Sequence, residues 1–150
     1  MPDPTPSQTV GPFFGFVLPF ADDNDAVSSA SPDAIRIEGQ VLDGGGDPVP
    51  DALLEIFQDD QFARCRTDPE GAFHFTVRKP GAGFFNVNVF ARGLLRHLST
   101  RIYLSGEEDP VLASVDPGRR HTLVAQRDGE ALRFDVRLQG PDETVFFAID

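Results

Sequence analysis

Ile35-Arg36-Ile37-Glu38-Gly39-Gln40-Val41 alternates apolar and polar residues with a period of two, Gly39 standing on the apolar side, which is the pattern of a strand with one buried face. The same pattern repeats on either side of further turns. Asp43-Gly44-Gly45-Gly46-Asp47-Pro48 supplies residues that reach positive backbone angles at low cost. Leu53 to Gln58 reads as the next strand, and Ala63 to Thr67 follows, with Arg64 and Arg66 opposed to Ala63 and Cys65. Asp68-Pro69-Glu70-Gly71 has the residue preferences of a type I turn and is expected to close a hairpin onto Phe73, Phe75 and Val77. Phe84 to Phe90 reads as a strand with Phe85, Val87 and Val89 on one face and Asn86, Asn88 and Phe90 on the other. Leu94 to Leu104 alternates imperfectly, and Arg127-Asp128-Gly129-Glu130 is a hairpin signal between Thr122 to Ala125 and Leu132 to Leu138. The expectation is an all-β fold, a β-sandwich of about eight mainly antiparallel strands with an extended N-terminal arm.

Composition agrees with that class. Among 150 residues there are 14 Phe, one Tyr and no Trp, so the core is filled by rings that bring no polar group in need of a partner. The 14 Gly and 13 Pro are scattered as turn signals, which suits many short strands better than helices. A net charge of -11 repels nucleic acid and anionic membrane surfaces, so no nucleic-acid or membrane partner is expected, and a small anionic ligand would need a local basic group. The single cysteine, Cys65, cannot form an internal bridge, and no apolar run is long enough to span a bilayer. Cytoplasmic residence follows as the expectation.

Residues 1–33 are expected to form an arm and linker, and residues 34–150 the sandwich. The first segment carries Pro2, Pro4, Pro6, Pro12, Pro19 and Pro32 and an acidic, Ser-rich stretch from Asp22 to Asp33. Its apolar knot, Phe13, Phe14, Phe16, Val17, Leu18 and Phe20, is too rich to stay solvated, and is expected to pack on the sandwich or against another chain.

Few residues announce chemistry. His74, His97 and His121 lie on separate elements without ligand spacing, Cys65 reads as a small core residue, and Tyr103 as a packed aromatic with one hydroxyl partner. No nucleophile elbow, phosphate-cradling loop or dinucleotide fingerprint occurs.

Four segments carry a resemblance: Thr5-Pro6-Ser7-Gln8-Thr9-Val10-Gly11-Pro12-Phe13-Phe14; Leu54-Glu55-Ile56-Phe57-Gln58-Asp59-Asp60; Phe90-Ala91-Arg92-Gly93 through Thr100-Arg101-Ile102-Tyr103; and Gly140-Pro141-Asp142-Glu143-Thr144-Val145-Phe146-Phe147. Together they are similar to the alpha chains of the protocatechuate 3,4-dioxygenases, within the intradiol ring-cleavage dioxygenase family. The resemblance implies a partner, an iron-binding beta subunit that opens the ring of 3,4-dihydroxybenzoate with dioxygen to give 3-carboxy-cis,cis-muconate. It also implies that the ferric iron belongs to the partner. In iron-bearing relatives two tyrosinates and two histidines hold the ion, the histidines as His-x-His on one strand. Here the matching positions are Asn86-Val87-Asn88, the loop Gly81-Ala82-Gly83-Phe84-Phe85 has no tyrosine, and the stretch after Gln58-Asp59-Asp60 offers Phe62. No metal site and no catalytic residue is expected in this chain alone.

By the same resemblance, Thr9, Gly11, Pro12 and Phe13 match the arm that alpha chains lend to the partner's substrate pocket, and Arg92 matches a pocket arginine. Phe13 departs from the tyrosine of many alpha chains, and three loops are shorter than in the family. A second resemblance stays open: Ile37-Glu38-Gly39-Gln40-Val41 with Pro48-Val49-Pro50-Asp51-Ala52 is also similar to transthyretin-like or carboxypeptidase-regulatory-like modules, which bind or support and do not catalyse.

Overall fold

The computed structural model describes residues 2–11, 13–105 and 109–148. It is built of strands β1 (Ala34–Leu42), β2 (Leu53–Gln58), β3 (Gln61–Arg66), β4 (Ala72–Arg78), β5 (Phe84–Phe90), β6 (Leu98–Tyr103), β7 (Gln126–Asp128), β8 (Ala131–Arg133) and β9 (Val136–Arg137). Among the described residues helix is confined to single turns, α1 (Phe14–Val17) and α2 (Pro110–Ser114), and a 3-10 turn over Arg120–Leu123. One sheet runs β4-β1-β8-β7, with β9 also on β1, and the other runs β3-β2-β5-β6. Ile37, Val41, Phe73, Phe75 and Val77 of the first sheet pack on Leu54, Ile56, Phe85, Val87 and Val89 of the second, all at most 3 % exposed. The two-residue alternation therefore points its apolar face inward on both sheets, and the fold is a β-sandwich.

β1 is the hub of its sheet. It takes β4 antiparallel on one side and β8 and β9 parallel on the other. The expected strand from Leu132 to Leu138 is broken at Phe134-Asp135, where the Phe134 amide donates to the Glu38 carbonyl (2.8 Å) and the Gln40 amide donates to Asp135 Oδ1 (3.0 Å). Gly39 is the reason the chain can pass so close. A Cβ there would lie 1.8 Å from the Phe134 carbonyl oxygen.

The turn at Asp68–Gly71 forms as expected, with Asp68 Oδ1 accepting from the Glu70 and Ala72 amides and Gly71 at φ +71°. It does not close a hairpin within one sheet, however. β3 pairs with β2 and β4 with β1, so the turn carries the chain from one sheet to the other. At the far end the two strands are rejoined by a side chain: Gln61, 6 % exposed, accepts from the Arg78 amide (2.7 Å) and donates to the Arg78 carbonyl (2.9 Å). Phe75 and its neighbours fill the space between sheets that a simple hairpin would leave empty.

The segment before β1 lies across the same opening. The Arg64 amide on β3 donates to the Asp23 carbonyl (2.7 Å), while on β4 the Thr76 amide donates to Asn24 (3.0 Å) and its carbonyl accepts from Ala26 (2.9 Å). Both exposed strand edges are thus capped by one stretch of chain, which satisfies backbone groups that would otherwise invite foreign strands. Only Phe14 of the apolar knot is buried, at 8 %. Phe13, Phe16, Val17 and Phe20 are 68 to 74 % exposed. The knot therefore does not pack on the sandwich as a whole, although the Phe16 ring covers the Arg66 guanidinium at 4.4 Å.

At the opposite edge β6 begins at Leu98, four residues later than its alternation suggests, because the β5–β6 connection takes up residues 91–97. The expected strand at Thr122 to Ala125 is mostly the 3-10 turn, with only an isolated Tyr103–Val124 bridge. Tyr103, 1 % exposed, packs with Leu112, Val115 and Leu123. Its hydroxyl donates to Asp109 Oδ1 (2.8 Å), the same oxygen that caps α2 by accepting from the Val111 and Leu112 amides. Burial alone would raise the Asp109 pKa, but these donors, with the Arg101 charge, bring it below the ordinary 3.8.

Gly39→Ala is expected to destabilise the protein by about 3 kcal/mol, since the obstructing atom is main chain and must move with its strand; urea unfolding measures it. Asp109→Ala is expected to cost roughly 1–2 kcal/mol through the lost cap. Because the Asp109 pKa is depressed on folding, that contribution is present above the ordinary carboxylate value and disappears as pH falls through the folded-state value. Wild type and variant should accordingly converge in stability on acidification, as read by unfolding midpoints across pH.

Candidate functional site

The strand that carries Asn86 and Asn88 presents them on the outer face of its sheet. The register is set by the core: Ile56 opposite Val87 and Leu54 opposite Val89 point inward, so Phe57 opposite Asn86, Glu55 opposite Asn88 and Leu53 opposite Phe90 point outward. Successive outward residues on β5 stand about 7 Å apart along the strand. Two residues beyond the last ladder pair, Arg92 meets Asp51 in an ion pair through Nε. Asn86, Asn88, Phe90 and Arg92 thus form one line, beginning at the two asparagines and ending at a cation.

Each amide on this line is committed to a neighbour. Asn86 Nδ2 donates to Gln58 Oε1 (3.0 Å), and Asn88 Nδ2 lies 3.5 Å from Glu55 Oε2. Glu55 is held by Arg64 through Nε (3.0 Å) and Nη2 (2.7 Å), a forked pair with side chains 14 % and 23 % exposed. Across the strand the Arg101 guanidinium lies over the Phe84 ring at 4.1 Å. Where a ferric site needs tyrosinate and imidazole, this face offers neutral amides, phenylalanine rings and a carboxylate already neutralised by arginine. The residues present do not fit ferric iron. Among the described residues no group of three or more His, Cys, Asp and Glu is placed to hold a metal.

The histidines are dispersed. The Asn24 amide lies 2.8 Å from His74 Nε2, whose pKa is lowered by burial and by the Arg36 charge. His97 stacks on Phe90 with ring centres 5.2 Å apart, and His121 is exposed on the 3-10 turn. Burial raises the pKa of the Cys65 thiol, which leaves it less reactive.

The arm comes to the same end of the sheet as Arg92. Gln8 and Val10 form one wall of a cleft of about 440 Å³ whose other wall is Phe90, Leu94, Arg96 and His97. Thr9 and Gly11 alternate with these two wall residues, Thr9 exposed and Gly11 half-buried. Gly11 has φ +76°, a conformation that turns the arm toward α1 at little cost to glycine alone. Phe13 follows at the start of α1 with its ring 72 % exposed. Pro12 lies outside the described residues. Arg92 keeps 60 % of its side chain exposed while Asp51 is 15 % exposed.

The structure therefore brings the arm and the Arg92 loop together at one end of the outer face. Sequence reasoning passed over the residues that hold this face in place, namely Asp51, Glu55, Gln58 and Arg64. Their signal was present in the register, since fixing Ile56 against Val87 fixes Glu55 against Asn88 as well.

No family model matches the chain. The protocatechuate 3,4-dioxygenase alpha chain of Burkholderia cepacia is 39 % identical to it over 191 aligned positions, covering 97 % of both chains. That of Pseudomonas putida is 37 % identical over 95 % of both. The Burkholderia cepacia beta chain is 28 % identical over 80 % of this chain and 71 % of its own. Among solved structures, the dioxygenase domain of a carbohydrate-binding fusion protein from Streptomyces sp. SirexAA-E superposes with a TM-score of 0.60 at 25 % identity, covering 92 % of this chain and 99 % of the domain. The alignments run past the 150 residues of this chain because the relatives carry insertions that it lacks, in keeping with its shortened loops. End-to-end similarity gives the arm and tail a place that the transthyretin-like reading leaves without a role. With two relatives above 30 % identity across nearly its whole length, the chain belongs to the alpha chains of the protocatechuate 3,4-dioxygenases, in the intradiol dioxygenase family.

Proposed function

We propose that this chain works as the iron-free half of a two-chain dioxygenase: a beta subunit holds ferric iron and cleaves 3,4-dihydroxybenzoate with dioxygen to 3-carboxy-cis,cis-muconate, and this chain completes the pocket wall. The arm, residues 1–33, reaches the partner, and residues 34–150 form the body on which it rests. The observation that carries this reading is the outer-face line itself. The positions matched to ligands are occupied by amides tied to Gln58 and Glu55, while the line's far end keeps an arginine largely exposed on the loop whose residues Leu94, Arg96 and His97 line the cleft with the arm. A face of that kind cannot assemble a metal centre but can recognise an anion.

The roles follow from chemistry. Arg92 offsets the carboxylate of the aromatic acid by charge-assisted hydrogen bonds, in a chain whose net charge of -11 otherwise repels that substrate. Thr9, Gly11, Pro12 and Phe13 supply a close-lying wall that fixes the ring's position, a contribution of orientation rather than of reacting groups. The exposed rings of Phe13, Phe16 and Phe20 suit burial against the partner. No helix among the described residues is long and apolar enough to cross a membrane.

Co-expression with the cognate beta chain tests the assembly. Both chains should elute together on size separation, with iron and 3,4-dihydroxybenzoate-dependent oxygen uptake in the same fractions, and this chain purified alone should show neither. An inert monomer beside a fully active beta assembly would contradict the reading. Within the assembled enzyme, Arg92→Ala is expected to raise KM for 3,4-dihydroxybenzoate by roughly ten- to a hundredfold, the scale of one charge-assisted hydrogen bond. Unchanged saturation kinetics would remove Arg92 from the pocket.

A further inference from the structure

Arg92 does not stand free. Its Nε meets Asp51, two residues beyond the point where Leu53 and Phe90 pair, so the ion pair continues the cross-strand register past the end of the ladder. Asp51 itself sits in an unusually well-held turn. Pro50 fixes the backbone angle before it. Thr67, 3 % exposed, donates through Oγ1 to the Val49 carbonyl (2.7 Å) and accepts from the Ala52 amide (3.0 Å), while its own amide donates to the Ala52 carbonyl (2.9 Å). The residues on either side of Pro50-Asp51 are therefore bound to one buried threonine. On the facing strand Ala91 is 2 % exposed and its carbonyl accepts from the Leu94 amide (3.3 Å), which fixes the root of Arg92.

Magnitudes decide what such a pair is for. With Arg92 60 % exposed, water screens the attraction and little stability is gained. What the contact does provide is direction. The contact is one of charge, with no hydrogen bond between the two side chains, and a carboxylate seated at the Nε edge of the planar guanidinium leaves the two Nη groups as the fork that matches a second carboxylate. We propose that Asp51 is a positioning residue for the carboxylate site: it holds the Arg92 guanidinium by Nε so that the Nη fork faces the shared pocket, relaying the rigidity of the Thr67-locked turn to the anion of an aromatic acid. This rests on the pocket assignment of Arg92 made above and deepens it.

The test uses the assembled two-chain enzyme with Asp51→Ala, Asp51→Asn, Arg92→Ala and the Asp51→Ala/Arg92→Ala double variant, each first checked for co-elution with the beta chain. Asp51→Ala should raise KM for 3,4-dihydroxybenzoate about tenfold with kcat within about twofold, because only an interaction made equally in the bound and transition states is weakened. Inhibition by catechol, which has no carboxylate, should not change. Asp51→Asn keeps the size of the side chain but not its charge and should lose about as much as Asp51→Ala, because the contact is an ion pair. The double variant should be no worse than Arg92→Ala alone, the signature of two residues acting through one interaction.

Asp51→Ala losses that add to those of Arg92→Ala, an equal effect on catechol, or a lowered KM from release of the Arg92 charge would each overturn the proposal. A harmful Arg92→Ala with a silent Asp51→Ala would overturn the role of Asp51 and leave the pocket assignment intact. A silent Arg92→Ala would overturn both.

Discussion

The antiparallel register of β2 on β5 governs everything that this molecule presents to a partner. Ile56 against Val87 and Leu54 against Val89 are locked by the core, and a slip of one residue would turn those side chains into water while burying Glu55, Asn86 and Asn88. The cost of that exchange is many times the energy of any single outer-face contact, so the core dictates the surface. Glu55 opposite Asn88, and Asp51 opposite Arg92, are consequences of how aliphatic side chains pack on the other side of the sheet.

The outer face shows how one fold can carry opposite roles. An alternating strand delivers every second side chain to the same place whatever its chemistry. Amides at Asn86 and Asn88 are neutral, so Gln58 and Glu55 can pair with them where a cation would otherwise be demanded. Glu55 in turn is paired, its Oε1 accepting from Nε and Nη2 of Arg64. Around Asn86 and Asn88 the outer face is thus a hydrogen-bonded network and not a hole.

Much of this was legible in the sequence, and the misses share a cause. Alternation at Ile35–Val41 and Phe84–Phe90 located β1 and β5 because each has a wet face and a dry one. The turn Asp68–Gly71 was recognisable from local preferences, but whether its strands stay in one sheet depends on the space between sheets, which only Phe75 and its distant neighbours determine. The break at Phe134 was likewise invisible locally, since it answers to Gly39 almost a hundred residues earlier. Arg92 stood out as a matched pocket position, whereas Asp51 stood in a resembling segment without any role, because its meaning comes from a strand pairing and not from its own neighbours.

The stretch around Asp23 to Ala26 fastens to β3 and to β4 at once, joining Asn24 to His74 across fifty positions of chain. Both strands must already be in place before it can dock, so in the order of folding it arrives late although it is synthesised early. Its bonds are few and near the surface, which puts it at the weak end of the range of local opening energies. When it lifts, two edges are bared together, and amide exchange along them would be correlated. The segment behaves as a clasp, and its closure marks the completed subunit.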